Sequence, residues 1–552
     1  MKTLNLISFV TILCMPIFFI LRSGEEYLPT KQDVESRKIE SKKEQEKTSV
    51  ELDGTLFNKK LSEAIGKEVG GRNNITKIIF KANSTPNANA TLVSEGIAFN
   101  YENSIVTVHI NADYAELTTG YQMFKGENYP NKLKAIEGLN LLNTSKVTNM
   151  SGMFLNCNNL ASLDLSNFDT GSVTDMSYMF AYCNSLTSLD LSNFDTSNVT
   201  DMGGMFAICT TLLTLDISNF NTSKATDMSA MFNGCSALTT LNVANFDTSK
   251  VTNMFAIFSG CRRLKALDLS NFNTSKVTDM SNMFNGCSAL IALDVANFDT
   301  SNVTNMSAMF LDCNKITSLN VANFNTSKVT DMSNVFWGCS ALTTLDVANF
   351  DTSKVTNMTL MFGNCEALKT LDVSNFNTSN VTDMSNVFWG CSTLKSLDVS
   401  KFDTSNVTDM TEMFMGCSAL TSLNLSNLDT RKATNMRHMF AGCSALTTLD
   451  LSNFDTSNVT NMIYMFFDCN KLNSLDISNF NTNKVTNMEG MFDRCSALIS
   501  VKIMGNISNI ETVQDMFAEI TTNGTFYYNE DYDYSKIISK LPQTWTAVSC
   551  KQ

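Results

Sequence analysis

Cations, histidines, prolines and glycines are all scarce in this chain of 552 residues. Lysine and arginine number 40 against 54 aspartates and glutamates, a net charge of −14, with only 17% of side chains charged. A nucleic-acid groove needs clustered cations to neutralise phosphates, so this balance argues against a nucleic-acid partner. The two histidines, His109 and His438, remove most routes to metal catalysis or a Ser-His-Asp site. Five prolines and 24 glycines offer few breaks in a length that would ordinarily hold three or four domains. What is plentiful is cysteine, with sixteen, in a chain that is 43% hydrophobic.

The cysteines form an arithmetic series. Cys157, Cys183, Cys209, Cys235, Cys261, Cys287, Cys313, Cys339, Cys365, Cys391, Cys417, Cys443, Cys469 and Cys495 stand 26 residues apart, with Cys14 and Cys550 outside the series. Disulfide scaffolds have irregular spacings and zinc sites use short pairs such as C-x-x-C. A fixed interval of this size instead marks a repeat architecture in which units stack on one another. The row is read as a core ladder of small, apolar, buried thiols. Bridges between neighbouring units lie within disulfide reach, although the parallel side-chain orientation of a stack opposes them.

One unit, residues 168–193, reads FDTGSVTDMSYMFAYCNSLTSLDLSN. Val173, Met176, Met179, Phe180 and Cys183 recur at steps of three and four, which predicts a short helix or 3₁₀ turn. Leu189 and Leu191 are two apart, which predicts a strand. The expected architecture is therefore an α/β repeat: about fourteen coils of 26 residues, a parallel sheet on one face and helical or 3₁₀ returns on the other, capped at both ends. Asn193 and its equivalents are expected to stack as an amide ladder that Lys401 interrupts.

The unit resembles the BspA-like leucine-rich repeat of bacterial surface proteins. The resemblance rests on L-x-x-L-x-L at Leu186, Leu189 and Leu191 and on M-F-x-x-C at Met179–Cys183. The signature M-F-x-G-C-S-x-L-x-x-L stands nearly intact at Met231–Leu241, Met283–Leu293, Met413–Leu423 and Met439–Leu449. Phe194 replaces the usual Asn or Cys after the last leucine. The family implies a right-handed leucine-rich-repeat solenoid on a bacterial surface, engaged in adhesion or in binding host proteins.

The chain divides as follows. Residues 1–21 read as a signal peptide or signal anchor, from the apolar run Leu4–Leu21. Residues 22–50 are a charged, solvated spacer, and 51–135 an N-terminal α/β cap with strand-like ITKIIF and SIVTVHI. The solenoid occupies 136–504 and a C-terminal cap 505–552. LPQTW at Leu541–Trp545 lacks the Gly and apolar tail of a wall-sorting signal. A secreted or surface location follows as the expectation.

No cofactor, resident metal or catalytic set is expected, since nothing breaks the repetition to build a pocket. Candidate partner-binding residues lie on two faces. Between the strand leucines stand Asp190, Asp216, Asp268, Asp294, Asp346, Asp372 and Asp398. They read either as an acidic stripe for a basic partner or loosely held Ca²⁺, or as side chains bonded to flanking Ser and Thr hydroxyls. The return segment varies between coils and presents Tyr178, Trp337, Trp389 and Tyr464. Trp337 and Trp389, two coils apart, are read as an aromatic patch or as packing against neighbouring coils. The functional expectation is a non-enzymatic binding module for an extracellular protein or cell-surface ligand. The alternative is a structural spacer or coat that binds nothing specific.

Overall fold

The computed structural model describes residues 49–53, 77–81, 107–111, 119–125 and 133–551. The apolar run at 4–21, most of the spacer and much of the N-terminal cap expected at 51–135 lie outside the described residues. Four short strands open the fold in parallel and in sequential order: β1 (Ser49–Asp53), β2 (Lys77–Lys81), β3 (Thr107–Asn111) and β4 (Ala135–Glu137). The runs ITKIIF and SIVTVHI thus contribute β2 and β3, with His109 in the latter.

From there the chain is a parallel ladder of repeats. Asn149 bridges Asp175, Asp175 bridges Asp201, and the series continues without a gap to Asn487 and Thr512. The strand expected at the leucines is a shorter feature. It is regular only in β5 (Ser318–Leu319), β6 (Thr344–Leu345), β7 (Ser396–Asp398), β8 (Ser422–Asn424), β9 (Ser474–Asp476) and β10 (Ser500–Ile503). Leu319 faces Leu345 in register, and Leu397 faces Leu423. Beyond β10 the sheet continues through β11 (Gly524–Asn529), the one-turn helix α1 (Ser535–Ile538) and β12 (Trp545–Cys550), in the order β9-β10-β11-β12.

The predicted helical return is not helical. Across Met176–Cys183 the backbone alternates: Met176, Tyr178, Phe180 and Tyr182 donate their N–H to Asp201, Gly203, Met205 and Ala207 of the next repeat. Met179, Ala181 and Cys183 instead close tight turns onto Met176, Tyr178 and Phe180. Tyr178 and Tyr182 carry φ of 55° and 61°, a left-handed conformation that no α-helix contains. The three-and-four spacing of inward residues is that of consecutive tight turns. These hydrogen bonds run along the stack, so the segment is satisfied only when a neighbour is present.

The core fills the space inside this frame. Phe154, Phe180, Phe206 and their successors to Phe492 stack 5.6–5.9 Å apart with planes within 14° of parallel. A second file includes the Phe168–Phe194 and Phe376–Phe402 pairs at 6.5 and 6.3 Å. Methionines and leucines at equivalent positions, such as Met176, Met179 and Leu186, are fully buried between them.

Candidate functional site

Each described ladder cysteine from Cys157 to Cys495 is a buried free thiol. The Sγ of Cys183 donates to the carbonyl of Phe154 at 3.3 Å, and that of Cys495 to Phe466 at 3.0 Å. Burial pushes Cys157 and Cys287 up to about 12. A nucleophilic or metal-binding thiol is a thiolate, so these groups serve packing and hydrogen bonding.

The strand-face carboxylates are exposed, and each is tied to its own turn. Asp190 accepts the N–H of Ser192 at 3.1 Å and its hydroxyl at 2.7 Å. Asp216, Asp268, Asp372 and Asp398 accept the N–H of Ser218, Ser270, Ser374 and Ser400. Asp294 and Asp346 accept those of Ala296 and Ala348. The Ser192 hydroxyl and then its N–H draw the Asp190 carboxyl below its ordinary range. A shallow groove runs along this face, with Leu215, Asp216, Thr240, Asn242 and Lys265 in its lining. Among the described residues no cluster of His, Cys, Asp or Glu has the grouping a metal ion needs.

The turn face is chemically richer. Tyr178 and Tyr182 are 46% and 42% exposed. The Tyr178 ring lies where a side chain on Gly204, one repeat on, would project. Trp337 is likewise laid across Gly363, whose added Cβ would meet its Cδ1 at 3.2 Å. Gly363 therefore sits between Trp337 and Trp389, and among the described residues no ring contact joins the two indoles. Tyr464 covers Gly490 in the same way. Around it the repetition breaks down. His438 lies against one side of the ring at 5.3 Å, its plane tilted by 32°, and Phe467 meets the ring edge-on at 5.4 Å. The Tyr464 hydroxyl donates to Glu489 at 3.4 Å, and the Arg494 guanidinium lies 5.4 Å from the Phe467 centroid.

The chain matches a protein family described as "Mycoplasma protein of unknown function, DUF285" over residues 118–242, 226–342, 312–427 and 419–527. The chain belongs to that family. No curated protein matches it. A chain from the crystal structure of a TLR13–ssRNA13 complex is similar at 11% identity and TM-score 0.20, covering 91% of this chain and 78% of its own. Similarity at that level carries no argument about ligand or mechanism.

In this DUF285 member, two sets of residues escaped sequence reasoning. The first is a fully buried threonine file. Thr196 donates to the carbonyl of Asn221 at 3.0 Å and accepts its N–H at 2.8 Å, and Thr170 treats Asp195 in the same way. The second is the bridge row itself, Asp175, Asp201 and Asp227, flanked by Asn149 and Asn253. The threonines were in plain view as an invariant letter of the repeat and the bridge row as a position held by Asp or Asn from Asn149 to Asn487, but turn chemistry explained both equally well. The asparagines of the Asn193 row do not stack amide on amide. Asn193 reaches back to the carbonyls of Leu165 and Phe168 at 3.0 and 2.7 Å, because a backbone acceptor otherwise left open outweighs an amide pair.

Proposed function

We propose that the chain is a non-enzymatic binding module, secreted or held at a cell surface, that contacts an extracellular partner through the turn face of a BspA-like solenoid. The reading includes fourteen right-handed coils, closed at both ends and preceded by a signal segment. Membership of a repeat family supports it, and one observation carries it. Each repeat pairs a nearly unvarying interior of Met, Phe and Cys with a left-handed turn position that changes identity, from the exposed Tyr178 to the buried Gly204 and Ala256 and the half-buried Asn282, Leu360, Glu412, His438 and Tyr464. A frame that holds backbone geometry constant while the side chain at the turn changes is how repeat proteins present distinct surfaces.

The spacer reading draws on a different observation: the strand face hardly varies, with Asp or Asn between small residues along its length. Full-length chain, labelled and titrated against intact cells and extracellular matrix proteins, separates the two. Saturable binding that weakens when Tyr178, Tyr182 and Tyr464 are replaced by Ala supports a binding module. Uptake that rises linearly with concentration overturns it in favour of the spacer.

A further inference from the structure

In sheet order β1 and β12 are each outermost, and the two differ in chemistry. β1 reads SVELD and includes Glu51 and Asp53, charges of the kind that keep an open edge from pairing. β12 reads WTAVSC, without charge or proline, and its six residues pair one to one with β11 without a bulge. It moves the open edge outward from β10 and leaves it unprotected. The Glu530 N–H donates to the Cys550 carbonyl at 3.2 Å, which shows the side of β12 that faces β11. Backbone groups alternate in direction along a strand, so Thr546, Val548 and Cys550 turn theirs to β11 while Ala547 and Ser549 turn N–H and C=O outward. The Trp545 N–H, of the outward set, is taken by the Pro542 carbonyl at 2.9 Å. Among the described residues no strand lies on that side of β12.

The side chains of this edge point to what would pair with it. Strand register carries one row across the solvent side of the sheet: Asp476, Lys502, Tyr527 and Val548. Lys502 meets Asp476 at 3.6 Å, so the charges of the row are paired at its β9 end and its β12 end is apolar. Val548 is 37% exposed there, with Tyr527 on its inner flank. Lys551, the nearest charge along the chain, is paired with Glu530 at 3.6 Å. On a chain of net charge −14, two β12 strands can therefore meet without bringing like charges face to face. Two β1 strands would oppose acids to acids.

We propose that β12 docks a second copy of this chain, antiparallel, about a two-fold axis through Val548. In that register Ala547 lies opposite the partner's Ser549, and Ser549 opposite the partner's Ala547. Both are hydrogen-bonded pairs, so every outward N–H and C=O of these residues finds its counterpart. Val548 and the partner's Val548 form the close, non-hydrogen-bonded pair between them. Each valine is then held between Tyr527 of its own sheet and its twin, the aromatic and β-branched neighbours that favour strand pairing. Such a contact is isologous and consumes the edge it pairs, so assembly closes at the dimer. The dimer is independent of which partner the turn face binds.

Sedimentation equilibrium of the full-length chain at micromolar concentrations tests it, with a rise from monomer to dimer mass expected. Ser549→Pro removes an outward N–H and spares the bonds to β11, and Val548→Lys sets like charges across the axis. Each should weaken the dimer about tenfold or more, with an unchanged melting curve. Val548→Cys in a Cys550→Ser background should give a disulfide-linked dimer on oxidation, because such opposed residues stand about 4.5 Å apart between Cα atoms. Thr546→Cys in the same background puts the two thiols out of register and should give none. A chain that stays monomeric leaves the edge to a strand of some other protein and overturns the proposal. A dimer that neither Ser549→Pro nor Val548→Lys weakens overturns it too, as does cross-linking through Thr546→Cys in place of Val548→Cys.

Discussion

The most constrained side chains are small and polar. Thr196 is fully buried and satisfies both backbone groups of Asn221. Thr196→Val keeps the shape but removes the partner of the Asn221 N–H and C=O, two part-buried bonds, so it should cost about 0.5–1.5 kcal/mol in urea unfolding. Unchanged stability would show that the threonine file is dispensable. Asp201 presents the opposite case. Its outer neighbours each have an amide, Asn149 donating to Asp175 at 3.0 Å and Asn253 to Asp227 at 3.4 Å, whereas Asp201 lies between two carboxylates. Burial, and then Asp175 and Asp227, raise its pKa against the opposing Gly203 N–H. Folding therefore disfavours the ionised form. The group contributes most favourably below its unfolded value near 4, and that contribution is lost as pH rises through the folded value. Asp201→Asn, which retains the acceptor for Gly203, is expected to raise the unfolding midpoint at pH 7. That gain should vanish below about pH 4, and a gain independent of pH would refute the charge argument.

At the scale of the element, the coupling between repeats is visible where a ring lies over a glycine. Gly490 has φ +57°, and a Cβ there would overlap the Tyr464 ring. Gly490→Ala should lose about 1 kcal/mol to the left-handed conformation alone, and more from displacing Tyr464. In the Tyr464→Ala background only the first loss should remain, so a double-mutant cycle should give a clear coupling term. Strict additivity would mean the ring does not rest on Gly490. The spacing Tyr464-to-Gly490, like Tyr178-to-Gly204 and Trp337-to-Gly363, was readable as letters 26 apart. Its meaning was not, because a helix places those side chains elsewhere. The αL residues turn the chain so that each ring leans across to the next repeat.

For the molecule as a whole, an end of the stack is a liability, since an open strand edge invites another chain. β11 and β12 extend the sheet past β10, and Phe526 and Trp545 pack on Phe517 at 6.0 and 5.6 Å, next to the last ring pair of the file. Deleting residues 524–552 should bare Phe517 and the β10 edge and produce concentration-dependent oligomers in light scattering. A truncated chain that stays monomeric at all concentrations would show that this closure is not needed.

Sequence alone determined that the chain repeats, that Met, Phe and Cys face inward, and that the strand leucines meet in register, because burial periodicity is written directly in the spacing of apolar letters. It also located the residues that vary, Tyr178, Trp337, Trp389 and Tyr464 among them. Tertiary structure alone decided that the return is a run of tight turns, that the unbroken ladder passes through Asp175 and its equivalents, and that Thr196 and Asn193 close backbone bonds. Steps of three and four serve helices and stacked turns equally well. Only a neighbouring repeat, offering its carbonyls across the stack, selects the turns.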